Sequence, residues 1–221
     1  MLDARKTNEP PRSDPYVDNI KKNNPNYVVN FLTPNNVKEF CDIDYGRLKH
    51  ATPQQKADLI RFELIYQHGG IWLDASTIVY ENLDWIERLV TQHQTNSFAY
   101  YRKKNTTCPD FPVLENWLLA SSAKNMFFKS WFEELLKAIE LTPKVYIQQI
   151  KENNENYQDY FQEIGRLEYL VAYVACQKIM RTTLPSMTLI NCDRNAFFYQ
   201  VKNKWMKEKV LIDLALNYPP V

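Results

Sequence analysis

The clearest helical pattern in the chain covers residues 51–70, ATPQQKADLIRFELIYQHGG, in which apolar positions recur with helical spacing. Thr52 is a natural N-cap, Pro53 fits the first helical position, and Gln55 completes a capping box. Gly69 suits the left-handed residue that closes a helix. The pattern therefore predicts one helix with defined ends.

A short β-rich run, IWLDASTIVY at residues 71–80, follows the glycine pair directly. Its length and its glycine boundary predict a strand, with Asp74 near the carboxyl end. In open α/β sheets, ligands bind at the carboxyl ends of strands. Asp74 is therefore the first candidate for a functional residue.

The remaining patterns predict further helices and strands, and the chain length suits a single α/β domain. Helices are predicted for residues 15–24, for 113–123 after an opening Pro112, for 127–142, and through most of 142–180. Strands are predicted for residues 27–33 and 97–103, and a mixture of short strands and loops for 188–221. The final Pro219 and Pro220 are typical of the start of a linker.

Composition then narrows the function classes. The 27 Lys and Arg balance the 26 Asp and Glu, so a nucleic-acid partner is not indicated. Cys41, Cys108, Cys176 and Cys192 lack the short paired spacings of a zinc or redox motif, and we expect buried thiols in a reducing compartment. No segment is apolar for long enough to cross a bilayer, and the first 15 residues are too polar for a signal peptide. We therefore predict a soluble, cytoplasmic monomer.

Asp74 and Ser76 form a D-x-S triplet that offers two oxygens to one hard cation. Side chains alternate along a strand, so both residues are expected to point to the same face. Mg²⁺ or Mn²⁺ takes one or two protein carboxylates and leaves its other positions to water and phosphate oxygens, which suits a nucleotide diphosphate. The alternative is that Asp74 caps a turn and Ser76 forms a local hydrogen bond.

Asp58 and Arg61 lie three residues apart on the predicted helix, hence on one face. That helix leads directly to Asp74, so the pair could hold a sugar hydroxyl and a diphosphate, respectively, beside a metal ion. The alternative is a surface salt bridge. His68 and Trp72, which lie nearby in the sequence, are expected to be packed neighbours rather than catalysts.

Residues 51–86, from ATPQQKADLIRFELIYQHGGIWLDAST to NLDWI, resemble the signature of capsular polysaccharide synthesis glycosyltransferases and their family 32 relatives, SDxxRxxxLxxxGGxWxDAT. The run is more remotely similar to the core of the glucosylating clostridial toxins. Residues 23–40 and 112–136 resemble the upstream and downstream blocks of the family in the same order. The chain is also similar to trimmed glycosyltransferase domains that large chlorella viruses encode for their capsid glycans.

The resemblance implies one GT-A domain over residues 1–221, with a nucleotide-sugar half at about 1–100 and an acceptor side at about 101–215. It implies a UDP-sugar donor, a Mn²⁺ or Mg²⁺ cofactor, and a glycan or glycoprotein acceptor in surface, capsule or capsid polysaccharide synthesis. For a viral chain, the expected location is the host cytoplasm.

The resemblance also implies roles for individual residues. Asp58 would contact sugar hydroxyls, and Arg61 the donor sugar or the diphosphate. Asp74 with Ser76 would hold the metal, with Ser76 in place of the usual last acid of D-x-D. Asn116 would face the donor sugar or the acceptor.

One block of the family is reduced at the start of this chain. The family opens with an apolar strand resembling IPKIIWQYW, whose end helps to hold the nucleotide base, whereas this chain has only MLDAR. Either Leu2–Arg5 forms a shortened version of that strand or the base is held differently, for example by Thr33.

Glycosyl transfer requires the leaving diphosphate to be stabilised, and Arg61 with Lys202 or Lys204 could contribute positive charge. The alternative for the two lysines is a solvated surface. An inverting enzyme also needs a carboxylate to deprotonate the acceptor hydroxyl. Asp110 and Glu115, the latter at the start of the predicted helix, are candidates because the motif order places them on the acceptor side. A retaining enzyme needs neither.

Two other function classes remain open. Ser76, in place of a second acid, permits a module that binds a nucleotide sugar or a glycan without turnover. A nucleotide-sugar hydrolase or a nucleotidyltransferase would use the same arrangement of metal and diphosphate.

Overall fold

The structure is a computed structural model, and it describes residues 15–216. The possible strand at Leu2–Arg5 and the possible linker at Pro219 and Pro220 lie outside these residues. The helices are α1 (Pro15–Asn23), α2 (Pro53–His68), α3 (Asp84–Gln92), α4 (Met126–Glu140), α5 (Pro143–Asn153), α6 (Gln158–Phe161), α7 (Val171–Met180), α8 (Phe198–Lys202) and α9 (Lys207–Leu216). The strands are β1 (Gly70–Leu73), β2 (Ser97–Tyr101), β3 (Leu114–Ser121) and β4 (Met187–Asn191).

The four strands form one mixed sheet in the order β1-β3-β2-β4. Strand β3 runs antiparallel to both of its neighbours, while β2 and β4 are parallel. The carboxyl ends of β1, β2 and β4 therefore lie at the same edge of the sheet as the amino end of β3. Residues that are distant in the sequence meet at that edge.

Helices cover both faces of the sheet, which confirms the α/β class. On one face, α2, α4 and α7 enclose the larger core cluster, and Phe62 stacks on Trp131 with ring centroids 4.2 Å apart. On the other face, a smaller cluster contains Ile86 of α3 and Phe98 of β2. Central β3 contributes to both clusters because Leu119 and Leu118 point in opposite directions. None of the helices in residues 15–216 is long and apolar enough to span a membrane.

The predicted start of α2 is confirmed in detail. The Thr52 side chain accepts a hydrogen bond from the Gln55 backbone, and the Gln55 side chain accepts one from the Thr52 backbone. Pro53 occupies the first turn. Gly69 closes the helix with φ of 68°, but its ψ of −150° is extended rather than left-handed helical. That combination of angles is almost restricted to glycine.

The two adjacent glycines are needed for different reasons. A Cβ on Gly69 would lie 2.6 Å from the backbone nitrogen of Ala123 and 2.8 Å from the carbonyl oxygen of Ser121, whereas a Cβ on Gly70 meets nothing within 4 Å. Gly70 nevertheless has φ of 81°. Gly69 is therefore needed both for its positive φ and for the close approach of the turn after β3. Gly70 is needed only for its positive φ.

We expect Gly70→Ala to lower the free energy of unfolding by about 1 kcal/mol because of its positive φ. Gly69→Ala is expected to cost about 1 to 3 kcal/mol more, since the backbone atoms that it meets cannot move independently. Chemical denaturation of both variants measures the difference. Equal stabilities would show that the close approach in this turn costs nothing.

Three secondary-structure predictions are wrong. Residues 113–123 form a strand over most of their length rather than a helix, because a central strand that is buried on both faces lacks the alternation of apolar and polar residues that distinguishes a strand from a buried helix. Residues 27–33 form no strand, and Val28 is 88% exposed. The Asn36 side chain accepts a hydrogen bond from the Thr33 nitrogen and donates one to the Phe31 carbonyl oxygen, which closes a turn there. The C-terminal region contains β4 as a short strand but also the helices α8 and α9.

Candidate functional site

The strand ends at one edge of the sheet assemble a connected set of polar side chains. We call this set the polar edge. It begins beside β1, crosses the amino end of β3 and finishes beyond β4. Its members are Asp58, Arg61, Trp72, Asp74, Arg102, Glu115, Asn116, Tyr173 and Asp193.

Asp74 lies directly after β1, as predicted, and its backbone nitrogen donates to the carbonyl oxygen of Trp117 in β3. Its Oδ1 accepts hydrogen bonds from Arg61 Nη2 at 2.6 Å and from Trp72 Nε1 at 2.8 Å. The side chain is 30% exposed. Asp74 is therefore held in one orientation by two donors and is still open to a ligand, and it is not a turn cap.

Arg61 bridges two carboxylates. Its Nη1 lies 2.7 Å from Asp58 Oδ1, and its Nη2 bonds Asp74. The side chains of Arg61 and Asp58 are 5% and 6% exposed, so the pair is buried and is not a surface salt bridge. Both terminal nitrogens of Arg61 are bound to carboxylates, and this residue positions the two acids in the structure.

Asp58 connects this group to β3. Its Oδ1 also accepts a hydrogen bond from Asn116 Nδ2 at 3.0 Å. Burial raises the pKa of Asp58 to about 6, although the Arg61 charge acts in the opposite direction. Within residues 15–216, Oδ2 of Asp58 and Oδ2 of Asp74 receive no hydrogen bond. Of these two oxygens, Asp74 Oδ2 is the acceptor that the arrangement leaves for a ligand in the cleft, because Asp58 is only 6% exposed and does not line it.

Glu115 occupies the middle of the polar edge, at the start of β3 and not at the start of a helix as predicted. Tyr173 donates to its Oε2 at 2.8 Å and lies 3.4 Å from Asn116 Oδ1. Burial raises the pKa of Glu115, while the Tyr173 hydrogen bond and the Arg102 charge lower it. Arg102 in turn donates to Asp193 at 2.7 Å. One tyrosine therefore links the Asp58 side of the edge to its Arg102 side.

A cleft of about 380 Å³ opens next to Asp74. Its lining includes β1 with the glycine pair and residues 27–32, which belong to the segment 27–33 that the sequence predicted as a strand. His68 lies in this cleft and contacts the carbonyl oxygen of Phe40 at 2.8 Å through Nε2. The cleft is thus closed largely by backbone and apolar side chains, with Asp74 at one end.

The geometry of the D-x-S triplet differs from the prediction. Strand β1 ends at Leu73, and residues 74–77 form a turn in which the Thr77 nitrogen donates to the Asp74 carbonyl oxygen. The alternation of a strand therefore does not apply, and the prediction that Asp74 and Ser76 share a strand face is wrong. Ser76 is exposed in that turn.

The described residues contain no group of three or more Asp, Glu, His or Cys side chains that could hold a metal ion. Asp74 supplies one carboxylate with a free Oδ2, and Ser76 supplies a nearby hydroxyl. Mg²⁺ and Mn²⁺ sites of nucleotide enzymes commonly use one or two carboxylates and take their other ligands from phosphate and water. The chemistry of Asp74 fits such a site only when the ligand itself provides most of the oxygens.

The other predicted residues lie away from the polar edge. The Thr33 backbone nitrogen and hydroxyl form hydrogen bonds with the Asn36 side chain. Thr33 does not line the cleft, because Leu32 is the last residue of this segment that does. Asp110 is exposed in the connection between β2 and β3. Lys202 pairs with Asp213 at 3.0 Å, as the surface alternative predicted, and Lys204 is exposed in the turn after α8.

Three members of the polar edge were not predicted from the sequence. Arg102 follows the end of β2 and Asp193 follows the end of β4, much as Asp74 follows β1. Because ligands bind at the carboxyl ends of strands, both residues become candidates once these strands are recognised. Tyr173 lies in an apolar helix and gives no local signal. Trp72 was interpreted as a packed neighbour, and the structure gives it the additional role of orienting Asp74.

Comparison with known proteins places the chain in a family. Residues 8–211 match the family model described as capsular polysaccharide synthesis protein. No solved structure matches the chain significantly.

Two curated proteins are similar to parts of the chain. Glycosyltransferase afumC of Aspergillus fumigatus is 26% identical over 127 residues, which are 52% of this chain and 32% of the relative. O-glycosyltransferase braB of Annulohypoxylon truncatum is 29% identical over 85 residues, which are 36% of this chain and 19% of the relative. The matched regions thus span about a third and a fifth of these two relatives.

Proposed function

The chain belongs to the capsular polysaccharide synthesis family, and on that premise we propose that it is a metal-dependent glycosyltransferase of the GT-A type. Its donor is a nucleoside-diphosphate sugar, UDP-linked in the first instance, and its acceptor is a surface, capsule or capsid glycan. The observation that carries the proposal is the Asp58–Arg61–Asp74 arrangement, in which the buried Asp58–Arg61 pair orients the Asp74 carboxylate at the cleft beside β1.

The cleft has the size and position of a donor site. Its volume of about 380 Å³ lies within the range of about 300 to 1,000 Å³ that is usual for small-molecule pockets. Its walls are mainly apolar, which suits a nucleotide base, and its polar end is Asp74. We propose that the base lies along segment 27–32 and that the diphosphate lies at Asp74.

Asp74 would hold the divalent ion with the donor diphosphate, and Ser76 would assist after a small rearrangement of its turn. When bound, the ion neutralises the negative charge that develops on the leaving diphosphate. Arg61 orients the Asp74 carboxylate through the hydrogen bond from its Nη2. Asp58 is buried and does not line the cleft, so it would contact a donor-sugar hydroxyl only after a local rearrangement, and Asn116 donates to its carboxylate from β3.

In the proposed reaction, the bond between the anomeric carbon and the diphosphate oxygen breaks, and a bond to the acceptor oxygen forms. The acceptor hydroxyl loses its proton. If the configuration inverts, Glu115 is favoured over Asp110 as the proton acceptor, because Glu115 lies on the polar edge whereas Asp110 is exposed outside it. A raised pKa, which burial gives Glu115, suits a group that exchanges protons near neutral pH.

The transferase proposal is tested by the release of nucleoside diphosphate from UDP-, GDP- and dTDP-sugars, with Mn²⁺ or with EDTA, and with or without oligosaccharide acceptors. We expect release from one donor to require the metal and to rise at least about tenfold with a suitable acceptor, because water is poorly positioned to replace the acceptor hydroxyl.

The other outcomes separate the alternatives. Metal-dependent release that no acceptor increases would indicate a nucleotide-sugar hydrolase. Donor binding without release under any condition would indicate a binding module, and the absence of donor binding would contradict the proposal.

A further inference from the structure

A second pocket, of about 190 Å³, lies on the polar edge at Glu115. We call it the Glu115 pocket. The proposed donor site does not use it. Its lining residues are Arg102, Asn105, Val113, Glu115, Ile164, Leu170, Tyr173, Phe197 and Trp205.

The carboxylate in this pocket has one oxygen available. Tyr173 donates to Glu115 Oε2 at 2.8 Å, whereas Oε1 lies 3.9 Å from Arg102 Nη1, which is too far for a hydrogen bond. Glu115 is only 6% exposed, and a buried carboxylate is costly unless its oxygens are satisfied. The Trp117 side chain also interacts with this carboxylate and lowers its pKa. Oε1 can accept a hydrogen bond from a ligand hydroxyl in addition to these contacts.

Two aromatic rings, Phe197 and Trp205, also line the Glu115 pocket. Trp205 is 52% exposed and contacts Phe197 edge-on, with ring centroids 5.2 Å apart. Trp205 has φ of 61°, an uncommon conformation for a bulky residue, and its nitrogen donates to the Gln200 carbonyl oxygen at 2.8 Å. The turn between α8 and α9 thus holds a large, partly exposed ring at the pocket.

The charges around the pocket do not favour an anion. The Arg102 guanidinium lies over both the Phe197 and Trp205 rings, 5.3 and 5.4 Å from their centroids. It already pairs with Asp193 and faces Glu115, so two carboxylates surround one cation. A neutral ligand with hydroxyl groups is compatible with this arrangement, whereas a phosphate would meet the Glu115 carboxylate and an arginine whose charge Asp193 already balances.

The size of the pocket favours one ring. Small-molecule sites usually measure about 300 to 1,000 Å³, so a pocket of about 190 Å³ is too small for a whole nucleotide sugar. A pyranose combines an apolar C–H face, which packs on an aromatic ring, with hydroxyl groups that need acceptors. Trp205 and Glu115, which both line the pocket, supply those two kinds of contact.

We propose that the Glu115 pocket is a subsite for one pyranose ring of the acceptor glycan, in which the Trp205 ring packs on the sugar face and Glu115 Oε1 accepts a hydroxyl hydrogen bond. The identification of the bound sugar as the acceptor rests on the proposed transferase function. Tyr173 lies 2.8 Å from Glu115 and 3.4 Å from Asn116, and Asn116 lies 3.0 Å from Asp58. The subsite is therefore adjacent to the carboxylates proposed for the donor.

The test uses the full chain and methyl pyranosides of glucose, galactose, mannose and rhamnose as probes. Saturation-transfer NMR detects their binding with and without UDP and Mn²⁺. We expect at least one probe to bind, and we expect Trp205→Ala and Glu115→Gln each to weaken that binding about tenfold. Tyr169→Ala is the matched control, because Tyr169 is 50% exposed but does not line the pocket, and this variant is expected to bind normally.

The possible results separate this inference from the proposed function. No binding of any probe, or binding that survives both Trp205→Ala and Glu115→Gln, would overturn the subsite. If Trp205→Ala weakened binding of UDP-sugar but not of UDP, the pocket would hold the donor sugar, and the acceptor assignment would be wrong. If the chain bound the pyranosides through Trp205 but bound no nucleotide sugar, the proposed transferase function would be contradicted and the Glu115 pocket would still be a sugar-binding site.

Discussion

Asp74→Asn is expected to lower kcat/KM for sugar transfer by about 10²- to 10³-fold, the loss that follows removal of one strong electrostatic contact to a developing charge. Asparagine can still accept the hydrogen bonds from Arg61 and Trp72, so the geometry should persist while the negative charge is lost. Stability should change by less than about 1 kcal/mol, because the Asp74 side chain is 30% exposed. Steady-state kinetics and thermal unfolding together measure the two effects.

Glu155→Gln provides the control for charge removal alone, since Glu155 is an exposed carboxylate between α5 and α6. Its kinetics should equal those of the original chain. Mn²⁺-dependent donor binding, measured by calorimetry, should be lost in Asp74→Asn only. If Asp74→Asn bound donor and metal with unchanged affinity, Asp74 would not be the metal ligand.

Arg61→Met is expected to lower the free energy of unfolding by about 3 to 5 kcal/mol at neutral pH, because it leaves the buried Asp58 charge without a partner. Methionine keeps much of the apolar volume, so the loss reports charge rather than packing. The same variant should lose donor binding, since Asp74 also loses a partner. Urea denaturation measures the stability, and calorimetry the binding.

The stability loss in Arg61→Met should depend on pH. The pKa of Asp58 is already about 6 because of burial, and without the Arg61 charge it rises further. A carboxyl group whose folded pKa exceeds its unfolded pKa stabilises the fold at low pH and loses that contribution as the pH rises through the folded pKa. The difference in free energy of unfolding between Arg61→Met and the original chain should therefore shrink as the pH falls from about 8 to about 5.

A double variant separates the ion pair from other effects of Arg61. Asp58→Asn removes the buried charge, and asparagine can keep the hydrogen bond with Asn116. Asp58→Asn/Arg61→Met should be more stable than Arg61→Met alone at neutral pH. If the two substitutions were simply additive and independent of pH, the pair would not be coupled in the folded chain.

The features that sequence predicts well here depend on neighbouring residues. The capping box of α2 and the change of pattern at the glycine pair place Asp58, Arg61 and Asp74 correctly, because helix spacing and a tight helix-to-strand turn fix their relative positions. The resemblance to the family then implies that these three polar residues belong to one site. The buried Asp58–Arg61 pair is thus predictable as a pair, although its burial is not.

The features that sequence misses depend on strand pairing. Arg102 and Asp193 are 91 positions apart, and only the parallel pairing of β2 with β4 brings them together. The interpretation of residues 113–123 as a helix also hid the surroundings of Glu115, because Tyr173 from α7 reaches Glu115 and Asn116 only when β3 is a strand. No local pattern carries that information.

Strand β3 also limits how this site can be altered. Glu115 and Asn116 are consecutive in a central strand and serve the two proposed sugar subsites separately. Inserting or deleting one residue within β3 would invert every following side chain and exchange the apolar contacts of the two cores. The connection between β2 and β3 has no such constraint at its exposed part around Asp110. Attempts to change acceptor preference by grafting should therefore vary that loop and preserve the register of β3.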